Sequence, residues 1–519
     1  MERWNNRVAV VTGASEGIGE AIVRRLAAEG MKVVALARRE AMLKEIEKEL
    51  REKKLYVRGH ICDVTDDNQV QGTFHWIEEN VGPVSVLVNN AGVIKFQPLT
   101  EQEITSVRAV IDTNLTGLLE TTIHGLRSMK KNGIDDGHII NINSIHGRRM
   151  MTPDTSVYTA TKHGVTVLSE TLKTELGEKK SKIRVTSVNP GGVTTSMTRW
   201  ILDQHPNVTF LEPKDVVEAV IFALSAPANV NSVSPGAVIT SMNRTFLDQN
   251  RSTRYLVAED IVESVIHALA APANVNRSEM ERWNNRVAVV SGASEGIGEA
   301  IVRRLAAEGM KVVALARREA MLKEIEKEMA DKKLYVKGHI CDVTDDDQVR
   351  TAFQWIEDNV GPVSVLVNNA GVLKVKPLTE LEISDMRTVV DTNLTGLLET
   401  TIHGLRSMKK NGIDDGHIIN INSIHGHRVV SPAISVYIAT KHGVTVLSET
   451  LKTELGEKKS KIRVTSVSPG AVITSMNRWM IEERPSMRYL EAKDIVESVI
   501  FALSAPANVN VSEIIVEPV

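Results

Sequence analysis

The sequence predicts an α/β protein built of two doubly wound parallel-sheet domains in tandem. Three observations carry this. First, "MERWNNRVAVV" opens the chain at Met1 and returns at Met280, and the same offset relates Gly13 to Gly292, Asn114 to Asn393, Tyr158 to Tyr437 and Pro190 to Pro469. A unit this long is a whole domain present twice, not a solenoid repeat. Second, short β-branched runs alternate with amphipathic helical stretches, which implies a parallel sheet covered by helices on both faces. Third, a glycine-rich turn joins the first run to the first helix in each copy.

The strands follow from the apolar runs. "VAVVTG" (Val8–Gly13), "KVVALAR" (Lys32–Arg38), "LYVRGHICDV" (Leu55–Val64), "VSVLVNN" (Val84–Asn90), "HIININS" (His138–Ser144) and "IRVTSVN" (Ile183–Asn189) read as strands. "IIVEPV" (Ile514–Val519) reads as a seventh, at a sheet edge where proline is tolerated. Between them, "EAMLKEIEKEL" places Leu43, Ile46 and Leu50 on one helical face, with its charges facing water.

The repeat sets the expected boundaries. Residues 1–231 form one domain that lacks the last strand, and residues 280–519 form a complete copy. Residues 232–279 are a partial duplicate of the C-terminal segment. "SVSPGAVITSMNR" stands there at Ser232–Arg244 and again at Ser466–Arg478. In the first place it has Pro235, Gly236 and Thr240 but no glycine turn or Tyr-Lys pair of its own, so it receives no catalytic role. Two domains of one kind on one chain suggest an intrachain pseudo-dimer, a homo-oligomer, or both. Met280 with its repeated opening also fits two coding units joined in one gene model.

Bulk properties narrow the class. The 519 residues carry 62 basic and 65 acidic side chains, a net charge of −3, which argues against nucleic-acid binding driven by charge. The 2 cysteines, Cys62 and Cys341, stand one per copy in "HICDV", so no disulfide framework is implied and a reducing, cytoplasmic setting is expected. No apolar run is long enough to span a membrane and no signal peptide is apparent.

The glycine turn points to a cofactor. In "TGASEGIGEAIVRRL", Gly13, Gly17 and Gly19 give G-x-x-x-G-x-G, with Ser15 and Ile18 inside the turn; the second copy has Gly292, Ser294, Gly296, Ile297 and Gly298. Glycines at this strand–helix junction let the backbone approach a pyrophosphate at the helix N-terminus. An NAD site usually ends its second strand in an acid that holds the ribose 2′-OH. Here Ala37 is followed by Arg38 and Arg39, and Ala316 by Arg317 and Arg318. Guanidinium groups suit a 2′-phosphate, so NADP(H) is expected ahead of NAD(H), although two ordinary surface arginines would look the same.

A second constellation carries proton chemistry. Tyr158 and Lys162 in "YTATK" share a helix face, Ser144 closes the strand before them, and Asn114 lies on a helix in "IDTNLTG". Tyr158 could exchange a proton with a carbinol oxygen if Lys162 drew its pKa down. Ser144 could hold that oxygen and Asn114 could support a water-linked path to the lysine. The second copy repeats the set as Asn393, Ser423, Tyr437 and Lys441.

With "TGASEGIG", "CDV", "NNAG", Asn114, Ser144, "YTATK" and "NPGGVTT" in order and spacing, each copy resembles the short-chain dehydrogenase/reductase family from end to end. The resemblance implies an NAD(P)-dependent oxidoreductase on a Rossmann-type fold with an Asn-Ser-Tyr-Lys tetrad. It also implies cofactor contacts from Asp63 and Val64 near the adenine, from Asn90, Ala91 and Gly92, and from Pro190, Gly191 and Thr195 near the nicotinamide. The second-copy equivalents are Asp342, Val343, Asn369, Ala370, Gly371, Pro469, Gly470 and Thr474. The opening phrase with "ALARR" looks most like the arthropod farnesol dehydrogenase branch, close to a branch acting on 17β-hydroxysteroids, which implies NADP(H) and a small apolar alcohol or carbonyl substrate, isoprenoid or steroid-like. Met197, Trp200 and Ile201 hint at an apolar pocket or at ordinary packing. The paired histidines His124, His146, His163, His403, His425 and His442 lack metal-ligand spacing, so no metal site is expected. A cofactor-binding redox sensor without turnover is the competing function, and loss of the Tyr or Lys would have favoured it.

Overall fold

The computed structural model describes residues 1–150, 152–205, 207–226, 277–429 and 431–519. The first copy forms six strands: β1 (Val8–Thr12), β2 (Lys32–Ala37), β3 (Val57–Ile61), β4 (Val84–Asn89), β5 (His138–Ile142) and β6 (Arg184–Val188). They lie in the order β3-β2-β1-β4-β5-β6, with all pairs parallel. The second copy repeats this with β7 (Val287–Ser291), β8 (Lys311–Ala316), β9 (Val336–Ile340), β10 (Val363–Asn368), β11 (His417–Ile421) and β12 (Arg463–Pro469), and adds β13 (Glu513–Val516) beside β12. The order reverses at β1/β4 and at β7/β10, which leaves a crevice at the carboxyl ends of those strands.

Alternation along the strands builds two cores per copy. Val10, Leu87, Ile139 and Val185 face one helical layer, while Ala9, Val11, Val86, Val88 and Ile140 face the other. Leu43, Ile46 and Leu50 are buried on the helix Glu40–Glu52, as their spacing predicts.

Some strand ends differ from the sequence reading. β3 covers only the middle of the expected Leu55–Val64. Cys62 N–H still donates to Ala37 O at 3.0 Å, but the Asp63 carboxylate then accepts from Thr65 N–H and Oγ1 at 3.0 and 2.9 Å and turns the chain. β13 stops at Val516, before Pro518. β6 pairs with β5 on one side only, and among the described residues no strand covers the other. The expectations for residues 232–276 lie outside the described residues.

The two copies pack through their helices. The helices Ser156–Glu178 and Ser435–Glu457 cross closely, because a side chain on Gly164 would stand 3.6 Å from Ala439 O and one on Gly443 would stand 3.8 Å from Ala160 O. One apolar core runs through this contact and joins both sheets. Buried ion pairs flank it: Arg387 Nη2 lies 2.5 Å from Glu120 Oε1, and Arg108 pairs with Glu399.

Candidate active site

The glycine turn is a cradle. Gly13 and Gly17 have φ of +64° and +61°, a left-handed backbone that β-carbons disfavour. A Cβ on Gly19 would stand 2.3 Å from Gly13 O and 2.5 Å from Asn90 Nδ2. Asn90 closes the turn by donating from Nδ2 to Thr12 O and Gly13 O at 3.0 and 3.1 Å. Thr12 Oγ1 in turn accepts from the N–H groups of Asn90 and Ala91, each at 3.0 Å. Sequence reading missed Thr12. Its signal lay in the duplication, where Ser291 keeps the hydroxyl and the same two bonds to Asn369 and Ala370.

Three expected elements converge on the cradle. The loop after β6 brings Thr195 Cγ2 to 3.2 Å from where a Gly17 side chain would begin. Ser196 Oγ donates to Glu16 at 2.9 Å, and Pro190 O accepts from Ile145 N–H at 3.0 Å. At the end of β2, Arg39 donates to Ser15 Oγ at 2.7 Å and pairs with Glu16 at 2.8 Å; Arg38 lies 3.6 Å from Asp63. Gly92 stands at the floor, where a side chain would meet Asn114 Oδ1 at 3.4 Å and Lys162 Nζ at 4.0 Å. A Cβ on Gly191 would meet nothing within 4 Å. Val64 is buried, with its carbonyl against Gly117. The side-chain-free turn and the two guanidinium groups at the end of β2 form a set that fits a dinucleotide phosphate.

The residues expected to handle the proton gather beyond the cradle. Asn114 lies in a π turn, Asp112–Thr116, rather than in a regular helix, and π turns re-aim side chains. It accepts from Val93 N–H and donates to Val93 O, both at 2.8 Å, and reaches Thr161 Oγ1 at 3.3 Å. Ser144 lies two residues past the end of β5, capping a short turn by accepting from His146 N–H at 3.2 Å. Tyr158 lies beside Ser144, and Lys162 Nζ donates to Ile142 O at 3.0 Å, 5.6 Å from the tyrosine ring centroid.

Burial, not the lysine, dominates the titration here. It pushes the Tyr158 phenol up to about 12, against the bond from Ser144, and draws the Lys162 ammonium down to about 8. The expectation that Lys162 lowers the phenol is therefore not met by these side chains alone; the ammonium is turned to Ile142 O and is itself costly to charge.

The second copy repeats this geometry. Asn393 holds Val372 at 2.8 and 3.0 Å, and Lys441 Nζ donates to Ile421 O at 2.9 Å. Tyr437 is raised, with burial as the cause and Ser423 opposing, and Lys441 is lowered to about 8. Gly292 and Gly296 take φ of +63°, and Gly298 approaches Gly292 O as Gly19 approaches Gly13 O. Arg318 bonds Ser294 at 2.7 Å, Arg317 lies 3.6 Å from Asp342, and Thr474 covers Gly296 at 3.3 Å. Pro469 ends β12, and Gly470 N–H donates to Val516 O at 2.7 Å, a bond that needs β13.

The histidines take local roles. His146 Nδ1 bonds Thr159 Oγ1 at 3.0 Å, and its ring stands edge-on to Tyr158. In the second copy Ile438 replaces that threonine, and His425 Nδ1 has no partner among the described residues. Trp200 and Met197 stay partly exposed, with Trp200 edge-on to Phe96 at 4.9 Å, a partner sequence reading did not find.

The short chain dehydrogenase family profile matches residues 7–205 and 286–485, one stretch in each copy. The chain belongs to the short chain dehydrogenase family. It is an oxidoreductase of that family, whose members bind NAD(P). Farnesol dehydrogenase of Aedes aegypti is 42% identical over 243 residues, covering 46% of this chain and 98% of that protein. Dehydrogenase/reductase SDR family member 11 of Gallus gallus is 39% identical over 250 residues, covering 46% and 98%. Among solved structures, a single-residue variant of actinorhodin polyketide ketoreductase with NADPH is similar at 31% identity, with a TM-score of 0.41, covering 44% of this chain and 95% of that one. Among the described residues, no helix is long and apolar enough to cross a membrane.

Proposed function

We propose that each copy is an NADP(H)-dependent oxidoreductase that interconverts a hydrophobic alcohol and its carbonyl. The observation that carries this is the meeting of Ser144, Tyr158, Lys162 and Asn114 at the open end of the glycine cradle, repeated by Ser423, Tyr437, Lys441 and Asn393. When bound, the nicotinamide gives or takes the hydride. The chain's own residues handle the proton. Tyr158 protonates or deprotonates the substrate oxygen, and Ser144, beside it, holds that oxygen in line. Lys162 steadies the charge left on the phenol, and Asn114 fixes the floor through Val93.

The preference for NADP(H) over NAD(H) rests on Arg38 and Arg39 with Ala37 in place of an acid. Asp63, Val64, Asn90, Ala91, Gly92, Pro190, Gly191 and Thr195 line the rest of the cofactor groove, as do their second-copy equivalents. The apolar substrate class rests on Met197, Trp200 and Phe96 around the mouth and on the likeness to farnesol dehydrogenase. We divide the chain at 231 and 279, and the crossed ion pairs favour a pseudo-dimer within one chain. Two buried free cysteines suit a reducing, cytoplasmic setting.

The test is the double variant Tyr158→Phe/Tyr437→Phe in a panel of farnesol, steroid, retinoid and small-ketone substrates with NADP(H). It should lose turnover in every case and still bind NADP(H). Normal turnover by the double variant would sink the mechanism.

A further inference from the structure

Each long helix carries one copy's Tyr-Lys pair near its start and ends against the other copy. Glu454, one turn from the end of Ser435–Glu457, is 2% exposed and points into a turn of the first copy. Its Oε2 accepts from Leu99 N–H at 2.7 Å, and its Oε1 accepts from Thr100 N–H at 3.1 Å and from Thr100 Oγ1 at 2.5 Å. Lys458 clamps the same turn, at 2.7 Å from Glu101 Oε1 and 3.2 Å from Glu454. The reciprocal contact exists. Glu175 Oε2 accepts from Leu378 N–H at 2.8 Å and its Oε1 from Thr379 N–H at 3.2 Å, while Lys179 lies 2.7 Å from Glu380.

The anchored turn ends the loop that walls the candidate site. That loop leaves β4, bonds Asn114 twice through Val93, and sets Phe96 against Trp200. Gln97 N–H then donates to Asp154 O at 2.8 Å, four residues before Tyr158. The loop finally enters the turn Leu99–Glu101 that Glu454 holds. A short stretch of chain thus links the substrate wall of the first copy to a buried carboxylate of the second; in the second copy the Val372–Asn393 bonds recur, with Val375 in place of Phe96 and Lys376 in place of Gln97.

We propose that Glu454 and Glu175 are positioning residues acting across the copies, each fixing the substrate wall of the site it does not belong to. This rests on the oxidoreductase reading above. The physical reason is the cost of leaving the anchor empty. Without the carboxylate, two N–H donors and a hydroxyl lose charge-assisted bonds in a buried place, and the turn must shift to find others. Small displacements of a substrate-positioning wall cost rate steeply. Neither glutamate touches the substrate site of its own copy through these bonds, so the effect is one-sided.

The experiment separates the sites and then removes one anchor. Tyr437→Phe leaves the first copy as the working site, and Tyr158→Phe leaves the second. Farnesol with NADP+ serves as the probe pair. Adding Glu454→Gln, or Glu454→Ala where Gln proves too mild, to the Tyr437→Phe protein should raise KM for the alcohol about tenfold with the KM for NADP+ unchanged. The same change in the Tyr158→Phe protein should leave the kinetics of the second copy as they were. Hydrogen exchange on the full chain should show faster exchange in residues 93–104 but not in 372–383, and Glu175→Gln should give the mirror result. Equal kinetic losses at both sites, or exchange that is unchanged or rises equally in both loops, would overturn the proposal. If neither parent turns over any alcohol of the panel, the oxidoreductase reading fails, while the exchange pattern still decides whether the anchor acts across the copies.

Discussion

Lys162 and Tyr158 are poised in opposite senses by one cause, burial, and this sets a pH limb. The lysine is drawn from 10.5 down to about 8, so it holds its charge below about 8 and loses it above. The phenol, raised to about 12, stays protonated throughout that range. Carbonyl reduction needs a protonated phenol with a cation beside it, so kcat/KM for reduction should hold steady below about pH 8 and fall above it. Lys162→Arg in the Tyr437→Phe protein should move the limb out of the accessible range, because guanidinium keeps its proton. A profile unchanged by that substitution would count against the lysine's role. At the ribose end, Arg38→Ala/Arg39→Ala with Arg317→Ala/Arg318→Ala should raise KM for NADP+ by about tenfold or more and leave that for NAD+ nearly unchanged, since a charge-assisted phosphate pair is among the stronger contacts. Equal losses for both cofactors would reject the arginines as the selecting group. The gathering of Asn114, Ser144, Tyr158 and Lys162 was legible because the proposed chemistry restricts residue types at short spacings. Thr12 and Phe96 were not, because a hydroxyl on a strand end and a ring in a loop have many ordinary uses.

Among the elements, the helix Gly117–Lys131 and its counterpart Gly396–Lys410 hide the least expected charges. Glu120 faces Arg387, Asp67 and Asp112; Glu399 faces Arg108, Asp346 and Asp391. Burial pushes both glutamates up from 4.5 to about 7, although each has an arginine of the other copy beside it. The geometry says ion pair and the titration says costly charge, and both hold, because desolvation exceeds the pairing gain in such places. The sign follows from the raised folded value. The folded chain binds these protons more tightly than the unfolded one, so the stability they contribute is full below pH 4.5 and is lost as pH rises through about 7. Glu120→Gln/Glu399→Gln should therefore melt close to the parent at low pH, rise progressively above it as pH climbs from 4.5 to about 7, and keep a constant lead beyond that. A melting difference that stays constant with pH would show that these groups do not titrate in this way. The strand–helix alternation was readable from period alone. The pairing of each with the arginine-bearing helix of the other copy, Ile383–Val390 or Ile104–Ile111, was not, because a glutamate in "GLLETTIHG" carries no mark of what lies across from it.

For the whole molecule, the consequential asymmetry is at the sheet edges. β13 covers β12 from Ser466 to Pro469, while β6 has no such cover among the described residues. Expressed separately, residues 1–231 and 280–519 would expose similar inter-copy helices, so a difference in behaviour isolates the edge. The first should be the less soluble, measured as the soluble fraction at equal expression, and grafting the sequence of Val511–Val519 behind it should narrow the gap. Equal solubility would remove the edge as a liability. The repeat was the most legible feature of all, whereas the crossing of the copies at Ala160, Gly164, Ala439 and Gly443 needed the fold to bring those small residues together. That crossing has a further consequence. In a two-fold dimer of identical chains every substitution is imposed twice, on both sides of the axis. Here the helices Ser156–Glu178 and Ser435–Glu457 are separate stretches of one chain, so each position changes alone. Thr159 and Ile438, beside equivalent tyrosines, are such a pair. The joined chain is free to let its two candidate sites diverge while the packing between the copies stays in place.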